Sequence, residues 1–189
     1  MKKLYIFDFD GTITKRDSFI LFSMFSVSCT SFIKYWIKTL VYFFFIEKSK
    51  LKEDFFLFHK DINIFVFNQM CLNFVEKKMK KHIKKSFLNY VNKIGDDSEL
   101  VIVSASIKNY LEPWCDEMGF KLISTELNVI DDKLTGKFSS LNCNGFEKVK
   151  RIKESYDLTL YDEIHVFGNS KGDLPMIELG SHKYYKFFK

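Results

Sequence analysis

Apolar residues recur along this chain in two rhythms, and each predicts a different kind of element. Short runs closed by polar residues or glycine, Leu4-Tyr5-Ile6-Phe7, Leu100-Val101-Ile102-Val103 and Ile164-His165-Val166-Phe167, read as strands buried between helix layers. Residues 120–125 predict another strand, and residues 184–188 a last strand or a terminal tail. Residues 128–138 predict a small hairpin turning at Asp131-Asp132. From Thr14 to about Gly95 there is no period-two alternation and almost no glycine or proline, so that stretch predicts helices. Within it Val75, Met79, Ile83 and Phe87 recur every four residues as one helical stripe, with Lys77, Lys78, Lys80, Lys81, Lys84 and Lys85 on a solvated face. A further helix is expected over 107–117, with Pro113 bending it or marking its start.

The resulting picture is an α/β protein: a central, mostly parallel sheet from residues 1–14 and 95–189, with residues 15–94 inserted after the first strand as a helical cap. At 189 residues, 47% of them hydrophobic, the chain can bury one sizeable core. A net charge of +5 without interleaved aromatic and basic residues gives no case for a nucleic-acid partner. Four cysteines, Cys29, Cys71, Cys115 and Cys143, form no CxxC pair, which fits a reduced cytoplasmic setting. The early apolar run is too short for a signal peptide and leads straight into acids. Residues 32–46 are aromatic, but Lys34 and Lys38 interrupt them and they fall short of the ~20 residues of a spanning helix. A cap helix is the preferred reading, over peripheral membrane contact.

Chemistry concentrates where the predicted strands end. Asp8 and Asp10 flank Phe9 beyond the first strand, and Gly11 permits the sharp turn that must follow. Ser104 closes the second strand with a hydroxyl. Lys148 falls in the first turn of a helix, where acids are favoured over bases, and so points to an anion to be met. The last strand runs into Gly168-Asn169-Ser170-Lys171-Gly172-Asp173, a loop with oxygen donors for a magnesium site.

In this order, DFDGTIT, Ser104, Lys148 and GNSKGDLPM resemble the four motifs of the haloacid dehalogenase superfamily, most closely its phosphoserine-phosphatase-like branch. The resemblance implies a phosphatase in which Asp8 takes the phosphoryl group as an aspartyl phosphate. Asp10 would protonate the leaving alkoxide and then activate water. Ser104 and Lys148 would hold the phosphoryl oxygens. Magnesium would be bound by the Asp8 carboxylate, the Asp10 carbonyl and Asn169, with Asp173 close behind. Relatives often carry aspartate where this chain has Asn169, so one negative charge fewer and weaker magnesium binding are expected.

Asp17 stands where those phosphatases carry an acid near the substrate amine, although an N-cap role explains it equally. They also clamp the substrate carboxylate with a cap arginine, and this chain has only Arg16 and Arg151. A small phosphorylated metabolite is therefore expected as substrate, an amino-alcohol phosphate ahead of phosphoserine. The alternative is a lipid phosphate at a membrane surface; a phosphomutase or a phosphoaspartate switch ranks lower.

Overall fold

The computed structural model describes residues 1–42, 48–95 and 97–189. In chain order the elements are β1 (Lys3–Phe7), α1 (Ser18–Ser26), α2 (Cys29–Tyr42), α3 (Lys48–Phe56), α4 (Ile64–Lys77), α5 (Lys85–Val91), β2 (Ser98–Ile107), α6 (Lys108–Met118), β3 (Lys121–Thr125), β4 (Leu127–Ile130), β5 (Lys133–Phe138), α7 (Phe146–Ser155), β6 (Glu163–Gly168), α8 (Leu174–Ile177) and β7 (His182–Tyr185). Five strands form one sheet in the order β3-β2-β1-β6-β7, and every pairing is parallel. The expected α/β architecture is borne out.

Alternation along the strands divides the core between two faces. Leu4, Ile6, Val101, Val103, Ile164 and Val166 pack with Ile152 of α7 and Met176 and Ile177 of α8. Tyr5, Phe7, Ile102 and Phe167 face the other way, against Phe87 of α5 and the α6 side chains Tyr110, Leu111 and Trp114. Because the strands run parallel and in register, aromatic side chains stack across them. Phe7, Phe167 and Tyr184 form one row, with ring centroids 4.7 and 4.3 Å apart. Tyr5, His165 and His182 form a second, at 4.4 and 4.3 Å. After β1 the chain crosses to β2 on one side and reaches β6 on the other only later. The crevice at the carboxyl end of β1 is therefore the switch point where open α/β sheets bind ligands.

The hairpin β4–β5 forms as expected, with Asp131 and Asp132 both at positive φ (50° and 56°), as a type I′ turn requires. It packs beside α3: the N–H of Phe138 donates to Glu53 at 2.9 Å. Pro113 lies inside α6 and does not start it. The tail after β7 folds back, and Phe188 is buried against Phe7 and Phe87.

The lysine-rich stripe is a correction. Val75, Met79, Ile83 and Phe87 are all buried, but not on one helix: α4 stops at Lys77, a 3-10 turn covers Met79–His82, and α5 starts afresh at Lys85. The break lets Ile83 pair with Thr14, and Lys84 N–H donate to the Ile13 carbonyl at 2.8 Å. Nor is Lys84 solvated, since its ammonium donates to the carbonyls of Gly11, Thr12 and Phe188 at 2.8, 3.1 and 3.0 Å. Periodicity marked the buried positions correctly but could not see a backbone crossing back to the core.

In the aromatic stretch 32–46, residues 43–46 lie outside the described residues. In the rest Tyr35 is buried, while Ile33, Ile37 and Leu40 are exposed. Among the described residues no helix is long and apolar enough to cross a membrane. All four cysteines are free thiols.

His59 sits buried among Phe22, Phe55, Phe56 and Phe67, and neither ring nitrogen has a hydrogen-bond partner among the described residues. Burial pushes its pKa down to about 4 from 6.5. The unfolded chain then binds the proton more tightly, so His59 favours the fold fully above pH 6.5 and progressively less as pH falls toward 4. The loss should reach on the order of 3 kcal/mol. Thermal unfolding from pH 7 to pH 4.5 is expected to show an acid-driven fall in Tm that is smaller in His59→Phe; an equal fall in both proteins would exclude the residue as its source.

Candidate active site

The loop that leaves β1 is built to hold two carboxylates. Asp8 N–H extends the sheet pairing by donating to the Phe167 carbonyl at 2.9 Å. The chain then turns at Gly11, φ +77°, where a β-carbon would overlap the Asn169 amide. Thr14 accepts from Gly11 N–H at 3.0 Å and closes the turn. Buried Phe9, Ile13 and Thr12 anchor it, and the Lys84 ammonium ties two of its carbonyls down.

Asp8 is buried, with each oxygen engaged. Thr12 Oγ1 donates to Oδ2 at 2.7 Å and the Lys148 ammonium to Oδ1 at 2.6 Å. Burial pushes its pKa up; Lys148 and Thr12 oppose that, and Asp173 adds to it. Lys148, on the first turn of α7, is 1% exposed and also reaches Asp173 Oδ1 at 2.7 Å. Burial works against its charge, but the two carboxylates outweigh that and hold its pKa above the ordinary lysine value.

Asp10 is half-buried and differently held. Ser18 N–H donates to Oδ1 and Ser106 Oγ to Oδ2, both at 2.6 Å. Its pKa rises to about 6, chiefly from burial and then from the charge of Asp17, while Lys52, Ser106 and Ser18 pull it down. A carboxyl with a pKa near neutrality can both give and take a proton. Ser104 is buried within β2, which does not close there as expected but runs on to Ile107, with its pairing to β3 shifting register after Ser104; its Oγ accepts from Ser106 N–H at 3.1 Å, leaving its hydroxyl proton to donate elsewhere. Neither Ser104 nor Ser106 caps α6.

On the β6 side, Asp173 Oδ2 accepts from Asn169 N–H, Ser170 N–H and Ser170 Oγ at 3.2, 2.9 and 2.7 Å. These bonds point back into the loop, so Asp173 makes no cap hydrogen bond to α8. Burial opposes its charge, yet Lys148 and Ser170 bring its pKa below the usual carboxylate value. Asn169 lies against Gly11, at the mouth of the β1 loop.

Asp17 caps α1, accepting from Ile20 N–H at 3.1 Å. It also lines a cavity of about 290 Å³ with Phe19, Tyr35, Trp36 and Lys52. Trp36 Nε1, buried, has no hydrogen-bond partner among the described residues.

The structure thus brings Asp8, Lys148 and Asp173 into one hydrogen-bonded chain, with Asn169 and Asp10 beside the same loop. Four residues that sequence reasoning missed support them. Ser106 and Ser18 orient Asp10, and their hydroxyls meet each other at 3.0 Å beside Tyr110. Ser106 was detectable as the residue two beyond Ser104, on the same side of a strand; Ser18, Lys52 and Lys84 carried no local signal.

A family model described as haloacid dehalogenase-like hydrolase matches residues 5–178. Protein CicA of Caulobacter vibrioides (strain NA1000 / CB15N) is 26% identical, over 98% of this chain and 86% of the relative. A protein of unknown function from Bordetella pertussis Tohama I superposes with a TM-score of 0.85 at 15% identity, over 96% of this chain and 88% of the other. A substrate-bound phosphoserine phosphatase complex superposes at 0.71 with 14% identity, over 98% and 86%. At such identities the two structures establish a shared fold.

Proposed function

Since this chain belongs to the haloacid dehalogenase-like hydrolase family, we propose that it is a magnesium-dependent phosphatase of small phosphomonoesters, acting through an aspartyl phosphate on Asp8. The observation that carries this reading is the buried Lys148 ammonium shared by Asp8 and Asp173, beside a second carboxyl, Asp10, with a pKa near 6. A buried ammonium at a strand-end carboxylate is suited to a dianionic group that must be held while it is transferred.

Each residue then has a task. The Ser104 hydroxyl and the Lys148 ammonium bind the phosphoryl oxygens, and an Asp8 oxygen attacks phosphorus in line with the leaving group. As the ester P–O bond breaks, protonated Asp10 gives its proton to the departing alkoxide. The Asp10 carboxylate then takes a proton from water attacking the same phosphorus, releasing inorganic phosphate and restoring Asp8. Ser106 and Ser18 hold Asp10 at the required place through both steps.

The oxygen donors here suit a hard cation: the Asp8 carboxylate, the Asp10 main-chain carbonyl and the Asn169 side chain, with Asp173 behind them. Magnesium bound there would neutralise phosphoryl charge. Asp173, which accepts from Lys148 and from the N–H groups of Asn169 and Ser170, holds the Asn169 loop in place.

The cavity beside Asp17 supports the substrate reading. It offers one carboxylate and one ammonium, Asp17 and Lys52, between aromatic walls. Arg151 is committed elsewhere, to Glu147 and to the carbonyls of Ser124 and Leu141. An amine on the substrate therefore meets Asp17, and a substrate carboxylate meets Lys52, the cation among the described residues that line the cavity. With magnesium present, phosphoethanolamine should be turned over faster than phosphoserine, and Lys52→Met should lower kcat/KM for phosphoserine about 10-fold while sparing phosphoethanolamine. A strong preference for phosphoserine that survives Lys52→Met would overturn this assignment. Preference for a short-chain lipid phosphate in the same panel would move the substrate to a membrane surface, where exposed Ile33, Ile37 and Leu40 provide an apolar face.

A further inference from the structure

Away from the catalytic loop, the start of β6 and the edge strand β7 assemble a second set of ligands. Glu163 and His165 are two apart on β6 and project from the same face, and His182 is the register partner of His165 on β7. Among the described residues they are the one set in which three carboxylate, imidazole or thiol side chains each bring a ligand atom within 4.8 Å of the others. Nε2 of His165 lies 2.9 Å from Oε2 of Glu163. Two ligands each about 2.0–2.1 Å from a tetrahedral zinc ion stand roughly 3.3 Å apart, so an ion that replaces the proton of this hydrogen bond, released to water, fits between these atoms after a small adjustment.

The surroundings hold the His165 ring and tether the exposed His182 ring more loosely. Nδ1 of His165 faces the Tyr184 hydroxyl at 3.3 Å, and Nδ1 of His182 faces Ser181 Oγ at 3.1 Å. Partners of this kind set the tautomer of a metal-binding histidine and leave Nε2 to the ion. His165 is buried and stacked on Tyr5, so it stays put. His182 lies parallel to it, 9° between planes, and being exposed it can turn about its Cβ–Cγ bond to aim at the same point. The Lys3 ammonium, 2.8 Å from Glu163 Oε2, shows that the corner already attracts a cation. That partly exposed ion pair is a weak competitor.

We propose that Glu163, His165 and His182 bind a borderline-soft divalent ion, zinc in the first instance, with water completing the coordination. Two imidazoles and one carboxylate are a zinc donor set, whereas magnesium prefers oxygen alone. His165 stands three residues before the end of β6, roughly 10 Å of strand, so this ion is separate from the catalytic carboxylates. It would staple the edge strand β7 to β6. The segment beyond β7 reaches the active-site loop through Lys186 N–H on the Gly168 carbonyl at 2.8 Å and Lys84 on the Phe188 carbonyl.

Chelator-treated protein carrying Cys29→Ser, which removes the one exposed thiol, provides the test. Titration with zinc chloride, followed by calorimetry and thermal unfolding, should show one bound equivalent and a raised Tm. Cobalt(II) should give the visible absorption of a low-coordinate nitrogen–oxygen site. His182→Ala and Glu163→Gln, both away from the buried core, should each weaken zinc binding at least about 10-fold and remove the Tm rise, and Tyr184→Phe should weaken it by about 10-fold. Absence of saturable zinc binding would overturn the proposal. So would unchanged affinity in the His182→Ala/Glu163→Gln double variant, which would place the ion elsewhere, as on the catalytic carboxylates if Asp8→Asn then abolished binding.

Discussion

Replacing Asp8 by asparagine is expected to abolish turnover of every phosphomonoester tested with magnesium, by on the order of 10⁴-fold or more in kcat, because the atom that accepts the phosphoryl group is gone. The fold should survive. Asp8 is buried, and burial raises its pKa, so the charged carboxylate costs the native state free energy that a neutral amide does not. The amide oxygen can still accept from Lys148, which also keeps Asp173 as counter-ion. Circular dichroism and Tm should therefore match or exceed those of the parent while activity disappears. Retained turnover in a folded Asp8→Asn protein would remove the aspartyl-phosphate mechanism; lost turnover with a collapsed Tm would instead assign Asp8 a structural role.

The second large effect is on stability. Lys148→Ala takes away the ammonium that Asp8 and Asp173 share, leaving two carboxylates buried together without it. Breaking one partner out of a buried ionic cluster typically costs about 3–5 kcal/mol, and that loss is expected in urea unfolding at neutral pH. Its pH dependence follows from the pKa directions. The lysine is held above its ordinary value of 10.5, so in the parent its stabilisation is complete below that pH and fades only as pH rises through the raised value. In the variant the penalty should shrink on acidification, as Asp8, with its raised pKa, is the first of the pair to take up a proton. A penalty below 1 kcal/mol at pH 7, or one unchanged at pH 5, would contradict the buried cluster. Phosphatase activity should fall as well, because the same ammonium is assigned to the phosphoryl oxygens.

Much of this site was legible because its parts lie at strand ends and helix starts, which leave local marks. Asp8 and Asp10 follow a run of apolar residues, Gly11 follows them, and positive φ at Gly11 is what the turn needs. Lys148 stood out as a base in the first turn of a helix, and its two carboxylate partners explain it. Lys84 shows the opposite case: by spacing it belongs to a solvated basic face, yet three carbonyls from residues 11, 12 and 188 converge on it. Nothing near position 84 in the chain announces those acceptors. Asp17 makes the anticipated N-cap bond and also lines a cavity, and its contact with a substrate amine belongs to the proposal above.

By itself the sequence determined the α/β class and the parallel strands and marked Asp8 and Asp10 as candidates, since burial periodicity and strand-end chemistry are properties of neighbouring residues. Only the tertiary structure decided which groups tune them. Ser106 on Asp10, Lys84 on the β1 loop, and His182 against His165 are contacts between segments far apart in the chain. Their geometry exists only once the sheet has set its register and the helices have packed on its faces, because distance along the chain carries no information about which polar groups share a buried site.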